Sequence, residues 1–326
     1  MTVPAPRLHD FVTAHRRIAP HIRHTPLIPS KYLGNLCDAD VWLKLDFLQP
    51  TGSFKVRGAL NKLALLAERG QFNGVVTASA GNHGLGVAYA AEALQLSPVT
   101  IFIPKTAPQS KRQKLAQYAV TVKQAGETYE EAHQAAENFA AETGAPYISA
   151  YNDVDVILGQ GTCGLEIMMG LPAADVLLVP TGGGGLVSGI ALAAKAVNPG
   201  TDIIAVQPAA SPAAKLSLAQ GFPVDPYQHE PTLADGLAGG FGSIPFYLAR
   251  TLIETVLVYS ESEIRRAIFT LLNREQLLVE ASGAIAVAPL LANPAQFAGK
   301  TVVCVLTGAN IDTAVVANII QEYGEN

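Results

Sequence analysis

Charged residues are scarce in this sequence. Asp, Glu, Lys and Arg make up only 15% of the 326 residues, hydrophobic residues make up 49%, and the formal net charge is −5. A chain with so little positive charge lacks the basic surface that binds nucleic acids, so we expect no nucleic-acid partner. The length and apolar content are enough for one large core or two moderate ones, which predicts a globular protein.

Cysteines and long apolar runs are also few. Cys37, Cys163 and Cys304 are far apart, odd in number and outside any CxxC spacing, so we expect buried thiols rather than disulfides or a structural metal. No segment stays apolar over the ~18 residues that a membrane span needs. The first residues, MTVPAPRLHDFV, contain prolines and charges instead of an apolar core. These absences predict a cytoplasmic protein without a membrane partner.

Short β-rich runs alternate with alanine-rich amphipathic stretches. GVVTAS precedes HGLGVAYAAEAL, VTIFIP precedes SKRQKLAQYA, VLLVP precedes LVSGIALAAKA, and the runs DIIAVQP and TVVCVLTG lead to a final helix. This alternation predicts an α/β fold with parallel-rich sheets covered by helices on both faces. No proline-rich linker cuts the chain, so a second domain would be inserted into the first. Ligands of such folds bind where strands lead into helices, and the candidate chemistry is sought there.

TGSFKVRGAL, residues 51–60, places Lys55 at a predicted helix start. Apolar residues recur at helical spacing from residue 56 onward, and Thr51, Gly52 and Ser53 supply turn and N-cap chemistry just before them. The positive end of a helix, together with burial, makes an ammonium group give up its proton more easily. The alternative is a lysine whose long stem carries its charge into solvent.

Two loops between strands and helices consist of small residues. TASAGNHGLG, residues 77–86, could close backbone N–H groups around a small anion such as a carboxylate, and His83 in it is more typical of a structural hydrogen-bonding residue than of an acid or base. VLLVPTGGGGLVSG, residues 176–189, has four consecutive glycines that let the backbone approach a phosphate. Gly184 and Gly189 have the spacing of the P-loop glycines, but Ile190 and Ala191 follow them where a P-loop has Lys and Ser or Thr. No register of the loop gives the dinucleotide-binding pattern G-x-G-x-x-G. A single phosphate group fits best, with a tight turn as the alternative.

VVCVLTGAN, residues 302–310, delivers Thr307 from a strand end into a loop. Its hydroxyl could hydrogen-bond a heteroaromatic ring. A reactive amine, a phosphate-binding loop and such a hydroxyl together indicate pyridoxal 5'-phosphate as cofactor.

Several segments resemble, in order, the fold-type II pyridoxal-phosphate enzymes, in the branch of serine/threonine dehydratases (threonine ammonia-lyases) and serine racemases: TGSFKVRGA, SAGNHG, GQGTCGLE, TGGGGL, PTLADG, EASGA and LTGAN. The resemblance implies a two-domain fold like that of the tryptophan synthase β-subunit. Residues 1–70 and 153–326 would form the large cofactor-binding domain. Residues 71–152 would form a small inserted domain carrying the substrate-carboxylate loop. The resemblance also implies a homodimer or homotetramer acting on a small amino-acid substrate.

The same resemblance implies a role for each matching residue. Lys55 would be the catalytic residue and hold the cofactor as a Schiff base. The other cofactor-binding residues would surround the ring and phosphate: Phe54 beside the ring, Asn82 at its 3-hydroxyl, Gly182, Gly183, Gly184, Gly185 and Leu186 around the phosphate, Gly236 on the far side of the ring, Glu280 nearby and Thr307 at the ring nitrogen. The substrate carboxylate would be held by Ser79, Ala80, Gly81, Asn82 and His83.

Departures from the family pattern narrow the expected chemistry. Residues 124–194 contain no Lys or Arg for a second substrate carboxylate, which favours a monocarboxylic substrate. Gln207, Ser211 and Ala213 stand where metal-binding relatives carry acidic ligands, so we expect no divalent cation. Ala80 stands where racemases carry the serine of the second face, so we expect no racemisation. The chain ends near the end of the catalytic region, so we expect no isoleucine-type feedback control.

We therefore expect a dehydratase that converts L-threonine, L-serine or a related β-hydroxy amino acid into a 2-oxo acid and ammonia. Two alternatives stay within the family: a β-replacement synthase, and a dehydratase for phenylserine or hydroxyaspartate. The loop at 79–83 and the ADG stretch resemble those of dehydratases more than those of synthases. A third alternative is a binding or sensor protein without catalysis, against which the intact Lys55 argues.

Overall fold

Nine strands form two sheets in the computed structural model, which describes residues 4–324. The strands are β1 (Leu27–Pro29), β2 (Asp40–Lys44), β3 (Val75–Ala78), β4 (Val99–Ile103), β5 (Thr121–Gln124), β6 (Val176–Pro180), β7 (Asp202–Pro208), β8 (Ile253–Tyr259) and β9 (Thr301–Val305). The helices are α1 (Leu8–Ile18), α2 (Lys31–Cys37), α3 (Lys55–Glu68), α4 (Asn82–Ala93), α5 (Gln109–Leu115), α6 (Tyr129–Thr143), α7 (Val154–Gly170), α8 (Gly185–Val197), α9 (Ala213–Gln220), α10 (Ser243–Ala249), α11 (Glu261–Arg274), α12 (Ala281–Ala284), α13 (Ala288–Ala292) and α14 (Thr313–Gly324).

The larger sheet has six strands in the order β1-β2-β9-β6-β7-β8. All neighbours in it are parallel except β1, which pairs antiparallel with β2 at one edge. This arrangement confirms the parallel-rich α/β prediction. The antiparallel edge strand was not predicted, because three residues are too short to show a periodic pattern.

The smaller sheet has three parallel strands in the order β3-β4-β5. Its strands fall in sequence between β2 and β6 of the larger sheet, so the second sheet is inserted within the first. Its core also contains α3, because Val56, Leu60 and Leu63 share a hydrophobic cluster with Leu85 and Val87 of α4. The resemblance implies a small domain of residues 71–152 inserted into a large domain of the remaining residues, and these limits stay a prediction.

The predicted alternation of strands and helices is confirmed, with small differences in length. The sequence predicts a helix over residues 110–119, whereas α5 ends at Leu115. The N-cap predicted among Thr51, Gly52 and Ser53 is wrong: the N-cap residue of α3 is Phe54, without a side-chain cap. The Ser53 hydroxyl is buried without a hydrogen-bond partner among the described residues. Helix α3 nevertheless begins at Lys55, as predicted.

Close helix packing in the core depends on glycine. Helix α7 lies between α3 and α8, and a Cβ at Gly159 would come within 2.5 Å of the Arg57 carbonyl oxygen. On the other side, a Cβ at Gly189 would lie 2.5 Å from the Ile157 carbonyl oxygen. Because real Cβ atoms do not approach backbone oxygens so closely, these glycines let the backbones of three helices touch. The contact brings the amino ends of α3 and α8 to one region.

A buried cluster of charged side chains fixes α3 to the larger sheet. Arg57 donates to Asp46 and to Glu166, at 2.7 Å in each case, and Lys44 donates to Glu166 at 2.6 Å. All four side chains are within 2% of full burial. Sequence reasoning missed this cluster, because its members lie on β2, the turn after it, α3 and α7 and show no common motif.

The three cysteines are buried free thiols, as predicted. Burial raises the pKa of each thiol. Among the helices between residues 4 and 324, none combines the length and the apolar character that a membrane span requires.

Candidate active site

Lys55 is the first residue of α3, and its side-chain amine contacts Ala150 and Phe54. Its Nζ donates to the Ala150 carbonyl oxygen at 3.2 Å and lies 5.1 Å from the centre of the Phe54 ring. Burial lowers the pKa of the Lys55 amine to about 8, while the nearby carboxylate of Glu280 acts in the opposite direction. Burial is therefore the main reason why this amine is deprotonated more easily than a lysine in water.

The loop at residues 79–83 leads into α4 next to Lys55. Ser79, Ala80 and Gly81 are half-buried, and Gly81 is the N-cap residue of α4 without a side-chain cap. The first-turn N–H groups of α4 are thus not satisfied by a capping side chain, as an anion site at a helix start requires. Gly86, one turn further on, packs against the Lys55 backbone, since a Cβ there would lie 3.1 Å from the Lys55 carbonyl carbon.

His83 is buried and neutral. Its Nε2 lies 3.0 Å from the Ile148 carbonyl oxygen, which can only accept, so Nε2 carries the proton and Nδ1 is an acceptor. Nδ1 is buried without a partner among the described residues. Burial, and secondarily the charge of Lys55, lowers the pKa of His83 to about 3. The side chain in this state cannot donate to a carboxylate, so a contact of His83 with substrate would come from its backbone N–H.

The four glycines between β6 and α8 form a crowded loop. Gly184 adopts a φ of 95°, which favours glycine, and a Cβ there would come 2.5 Å from the Phe241 ring. A Cβ at Gly182 would come 2.8 Å from the Leu237 Cα. The N–H groups of Gly182, Gly183 and Gly184 make no backbone hydrogen bond within residues 4–324. A close-packed backbone with free N–H groups at the start of α8 fits a phosphate, and Leu186 is buried in the first turn of that helix.

Tyr151 lies against this glycine loop and was not singled out from the sequence. A Cβ at Gly183 would run into the Tyr151 ring, and one at Gly185 would lie 2.9 Å from its Cα. Its hydroxyl donates to the carboxylate of Asp225 at 3.2 Å. Burial, followed by Asp225, raises the pKa of the Tyr151 hydroxyl. Since the preceding residue, Ala150, accepts from Lys55, this segment connects the amine with the glycine loop.

Thr307, Gly236 and Phe54 are neighbours. The Thr307 carbonyl oxygen accepts from the Phe54 N–H at 3.0 Å, directly before Lys55. The buried Thr307 hydroxyl donates to the Ser282 carbonyl oxygen at 3.4 Å, and the N–H of the exposed Gly236 donates to the Ser282 hydroxyl at 3.0 Å. Gly236 also borders the glycine loop, because its carbonyl oxygen lies 3.2 Å from a Cβ built at Gly182.

Glu280 and Asn82 form a direct pair. Asn82 Nδ2 donates to Glu280 Oε1 at 2.7 Å, and the Asn310 backbone N–H donates to Glu280 Oε2 at 2.9 Å. Burial, with a smaller effect of Asp235, raises the pKa of Glu280 to about 7. Asn310 is a second residue that the sequence analysis did not assign, although it closes the LTGAN segment. The structure thus brings all the predicted residues to the region where α3, α4 and α8 begin.

The side chains of Gln207 and Ser211 form hydrogen bonds with backbone groups. Gln207 Nε2 donates to the Thr181 carbonyl oxygen at 3.1 Å, and its Oε1 accepts from the Lys215 N–H at 3.1 Å. The Ser211 hydroxyl donates to the Gly239 carbonyl oxygen at 3.1 Å. No group of three or more His, Cys, Asp or Glu side chains suited to a metal ion occurs in the part of the chain that the structure describes. That the enzyme needs no divalent cation stays a prediction.

Comparisons with known proteins support one family. The family model described as pyridoxal-phosphate dependent enzyme matches residues 18–308. An L-threonine ammonia-lyase of Thermotoga maritima is 40% identical over 97% of this chain and 78% of its own length. A beta-hydroxyaspartate dehydratase of Paracoccus denitrificans is 34% identical over 94% of this chain and 97% of its own. The structure of maize serine racemase superposes with a TM-score of 0.89 at 31% identity, covering 99% of both chains. The chain belongs to the family of pyridoxal-phosphate dependent enzymes, which confirms the family and the cofactor predicted from its sequence.

Proposed function

We propose that this enzyme is a dehydratase, or ammonia-lyase, that converts L-threonine, L-serine or a related monocarboxylic β-hydroxy amino acid into a 2-oxo acid and ammonia. The observation that carries the proposal is the Lys55 amine, whose pKa of about 8 leaves a usable neutral fraction near pH 7, next to the uncapped start of α4. A base and a carboxylate site side by side are what removal of an α-proton from an amino acid requires.

The residues of the site fit the cofactor. Lys55 would hold it through its amine, and the remaining cofactor-binding residues would be Phe54, Asn82, Gly182, Gly183, Gly184, Gly185, Leu186, Gly236, Glu280 and Thr307. When bound, pyridoxal phosphate supplies an electron-withdrawing ring that stabilises negative charge at the substrate α-carbon. The free N–H groups of the glycine loop and the room that only glycine leaves there support this assignment.

The protein's own groups account for elimination. Residues Ser79–His83 would hold the substrate carboxylate at the start of α4, and the neutral Lys55 amine would take the α-proton. Thr307 would offer its neutral hydroxyl to the ring nitrogen by turning its hydrogen away from the Ser282 carbonyl oxygen, and unlike a carboxylate it would not stabilise a protonated ring nitrogen. Elimination suits this arrangement because the departing β-hydroxyl group carries the negative charge away. Loss of water from the amino acid, followed by hydrolysis, gives one 2-oxo acid and one ammonia.

The domain organisation, the cellular location and the oligomeric state are proposed as well. We propose a large domain of residues 1–70 and 153–326 and a small domain of residues 71–152, which the division of the strands into two sheets supports. We further propose a cytoplasmic homodimer or homotetramer, for which the resemblance to the family is the support.

A substrate panel tests the proposal. Enzyme with bound cofactor is incubated with L-threonine, L-serine, phenylserine and hydroxyaspartate, and 2-oxo acid and ammonia are measured together. Release of both from threonine or serine is expected. Turnover of hydroxyaspartate alone would show the activity of the Paracoccus relative instead. Product formed only after addition of a second nucleophile would show a β-replacement synthase, and no product from any substrate would contradict the proposal.

A further inference from the structure

Helix α5 belongs to the smaller sheet but contacts loops outside it. Leu115 at its end is fully buried in the core of that sheet. From the same short helix, Ser110 donates to Asp312 at 3.3 Å, Lys111 to Asp235 at 2.6 Å and Lys114 to Asn310 at 2.8 Å. The acceptors lie on the two loops that carry Gly236 and Thr307.

The Lys114 contact fixes the orientation of the Asn310 amide. A lysine ammonium can only donate, so the atom that it meets is the carbonyl Oδ1. Asn310 Nδ2 then faces two acceptors, the Thr51 carbonyl oxygen at 2.9 Å and Asn82 Oδ1 at 2.7 Å. Because a backbone carbonyl can only accept, the Thr51 contact independently requires the same orientation.

The orientation passes from Asn310 to Asn82. With its Oδ1 accepting from Asn310, Asn82 directs Nδ2 toward Glu280 Oε1. Donors therefore run in one direction from Lys114 through Asn310 and Asn82 to Glu280, and hydrogen bonds in such a chain strengthen one another. One of the two N–H groups of Asn82 remains free to donate to a ligand.

We propose that Lys114 is a positioning residue. Its contact from α5 to Asn310 helps to hold the side-chain amide of Asn82 in the orientation that faces the cofactor. The proposal rests on the role proposed above for Asn82 toward the cofactor. Lys114 itself is exposed and touches Asn310 rather than the reacting atoms. Without its ammonium group, the Asn310 amide loses one of the two contacts that fix its orientation and keeps only the Thr51 carbonyl oxygen. The Asn82 amide, which accepts from Asn310, is then held less firmly in the orientation that presents a donor to the cofactor.

The test measures affinity for pyridoxal phosphate, titrated into enzyme from which the cofactor was removed. Lys114→Met is compared with Lys105→Met, which removes the same charge from the loop after β4, where Lys105 pairs with the exposed Glu127 at 3.3 Å. The Lys114 variant is expected to bind about three- to tenfold more weakly, as the loss of one charged hydrogen bond with partial exposure implies, and to show an altered absorption spectrum of the bound cofactor. The Lys105 variant is expected to match the wild type.

A double-mutant cycle shows whether Lys114 acts through Asn310. In the Asn310→Ala background, Lys114→Met is expected to have no further effect on affinity, because the pathway is already broken. Additive effects, or a Lys114 variant with the affinity and spectrum of the Lys105 variant, would overturn the proposal. These measurements need no substrate, so they separate this coupling from the dehydratase function. A wild type that binds the cofactor but forms no 2-oxo acid contradicts only the latter.

Discussion

At the scale of single residues, burial sets the protonation states in the site. It lowers the pKa of Lys55 to about 8 and of His83 to about 3, and it raises the pKa of Glu280 to about 7. The sequence predicts that the helix start also lowers the pKa of Lys55, whereas the cause found in the structure is burial. Burial therefore shifts the pKa of each of these three groups in the direction that favours its neutral form.

His83 makes stability depend on pH in a direction that follows from its pKa. The folded value of about 3 lies below the ordinary value of 6.5, so the unfolded chain binds a proton first. Its contribution to stability is complete above pH 6.5 and decreases as the pH falls toward 3. Between pH 7 and pH 5, the unfolding free energy of the wild type should fall by about 2 kcal/mol more than that of His83→Gln. Urea unfolding at both pH values measures this difference, and parallel pH profiles would contradict it.

Ala80 predicts the absence of racemisation. A racemase needs an acid or base on each face of the planar α-carbon, and Lys55 supplies one face only. Ser79 is adjacent, but neighbouring side chains in an extended segment point in different directions. Its hydroxyl should therefore not serve the second face in place of a group at position 80. During incubation with L-serine, 2-oxo acid should accumulate without D-serine, as chiral chromatography of the remaining serine would show. D-serine formed as fast as the 2-oxo acid would mean that another group serves the second face.

At the scale of elements, α3 is fixed by the buried charged cluster at its first turns. Removing Arg57 leaves Asp46 and Glu166 without their shared partner, so Arg57→Leu should lower the unfolding free energy by about 3–5 kcal/mol. Arg69, the C-cap residue of the same helix, pairs with Asp155 while 47% exposed. Arg69→Leu is the matched control and should cost less than about 1 kcal/mol. Equal losses in denaturant titrations of the two variants would show that the cluster does not hold the helix.

The loop between β6 and α8 makes a separate prediction for cofactor retention. In Gly183→Ala the new methyl group runs into the Tyr151 ring, so the loop or Tyr151 must move away from the phosphate. The dissociation constant for pyridoxal phosphate should rise more than about tenfold, the equivalent of one good hydrogen bond. Gly200→Ala, whose added methyl group would meet only the movable side chain of Asn198, is the control. Equal cofactor affinity of both variants would make the four glycines a plain turn.

At the scale of the whole molecule, the sequence predicts the features that are local in the chain. The strand and helix alternation, the start of α3 at Lys55 and the glycine loop follow from spacing and composition within a few residues. The edge strand β1 is too short to show a pattern. The Arg57 to Glu166 and Lys114 to Asn310 contacts join residues that are 109 and 196 positions apart, which no local pattern encodes.

Ser53 shows a different limit of sequence reasoning. Residue type and position favour a cap, yet Ser53 pairs with Gly308 in an isolated bridge and its hydroxyl is buried. The contact with the loop after β9 thus overrides the local preference at the helix start. Tertiary contacts of this kind decide the details of the site.

The central claim is that Lys55 performs the proton abstraction of an ammonia-lyase. The most direct test follows 2-oxobutanoate and ammonia from L-threonine with the wild type, Lys55→Ala and the surface control Lys105→Ala, all supplied with pyridoxal phosphate. The account predicts equal amounts of both products from the wild type and the control, and a loss of at least about a thousandfold in rate for Lys55→Ala. Turnover of L-threonine by Lys55→Ala at a rate near that of the wild type would contradict it.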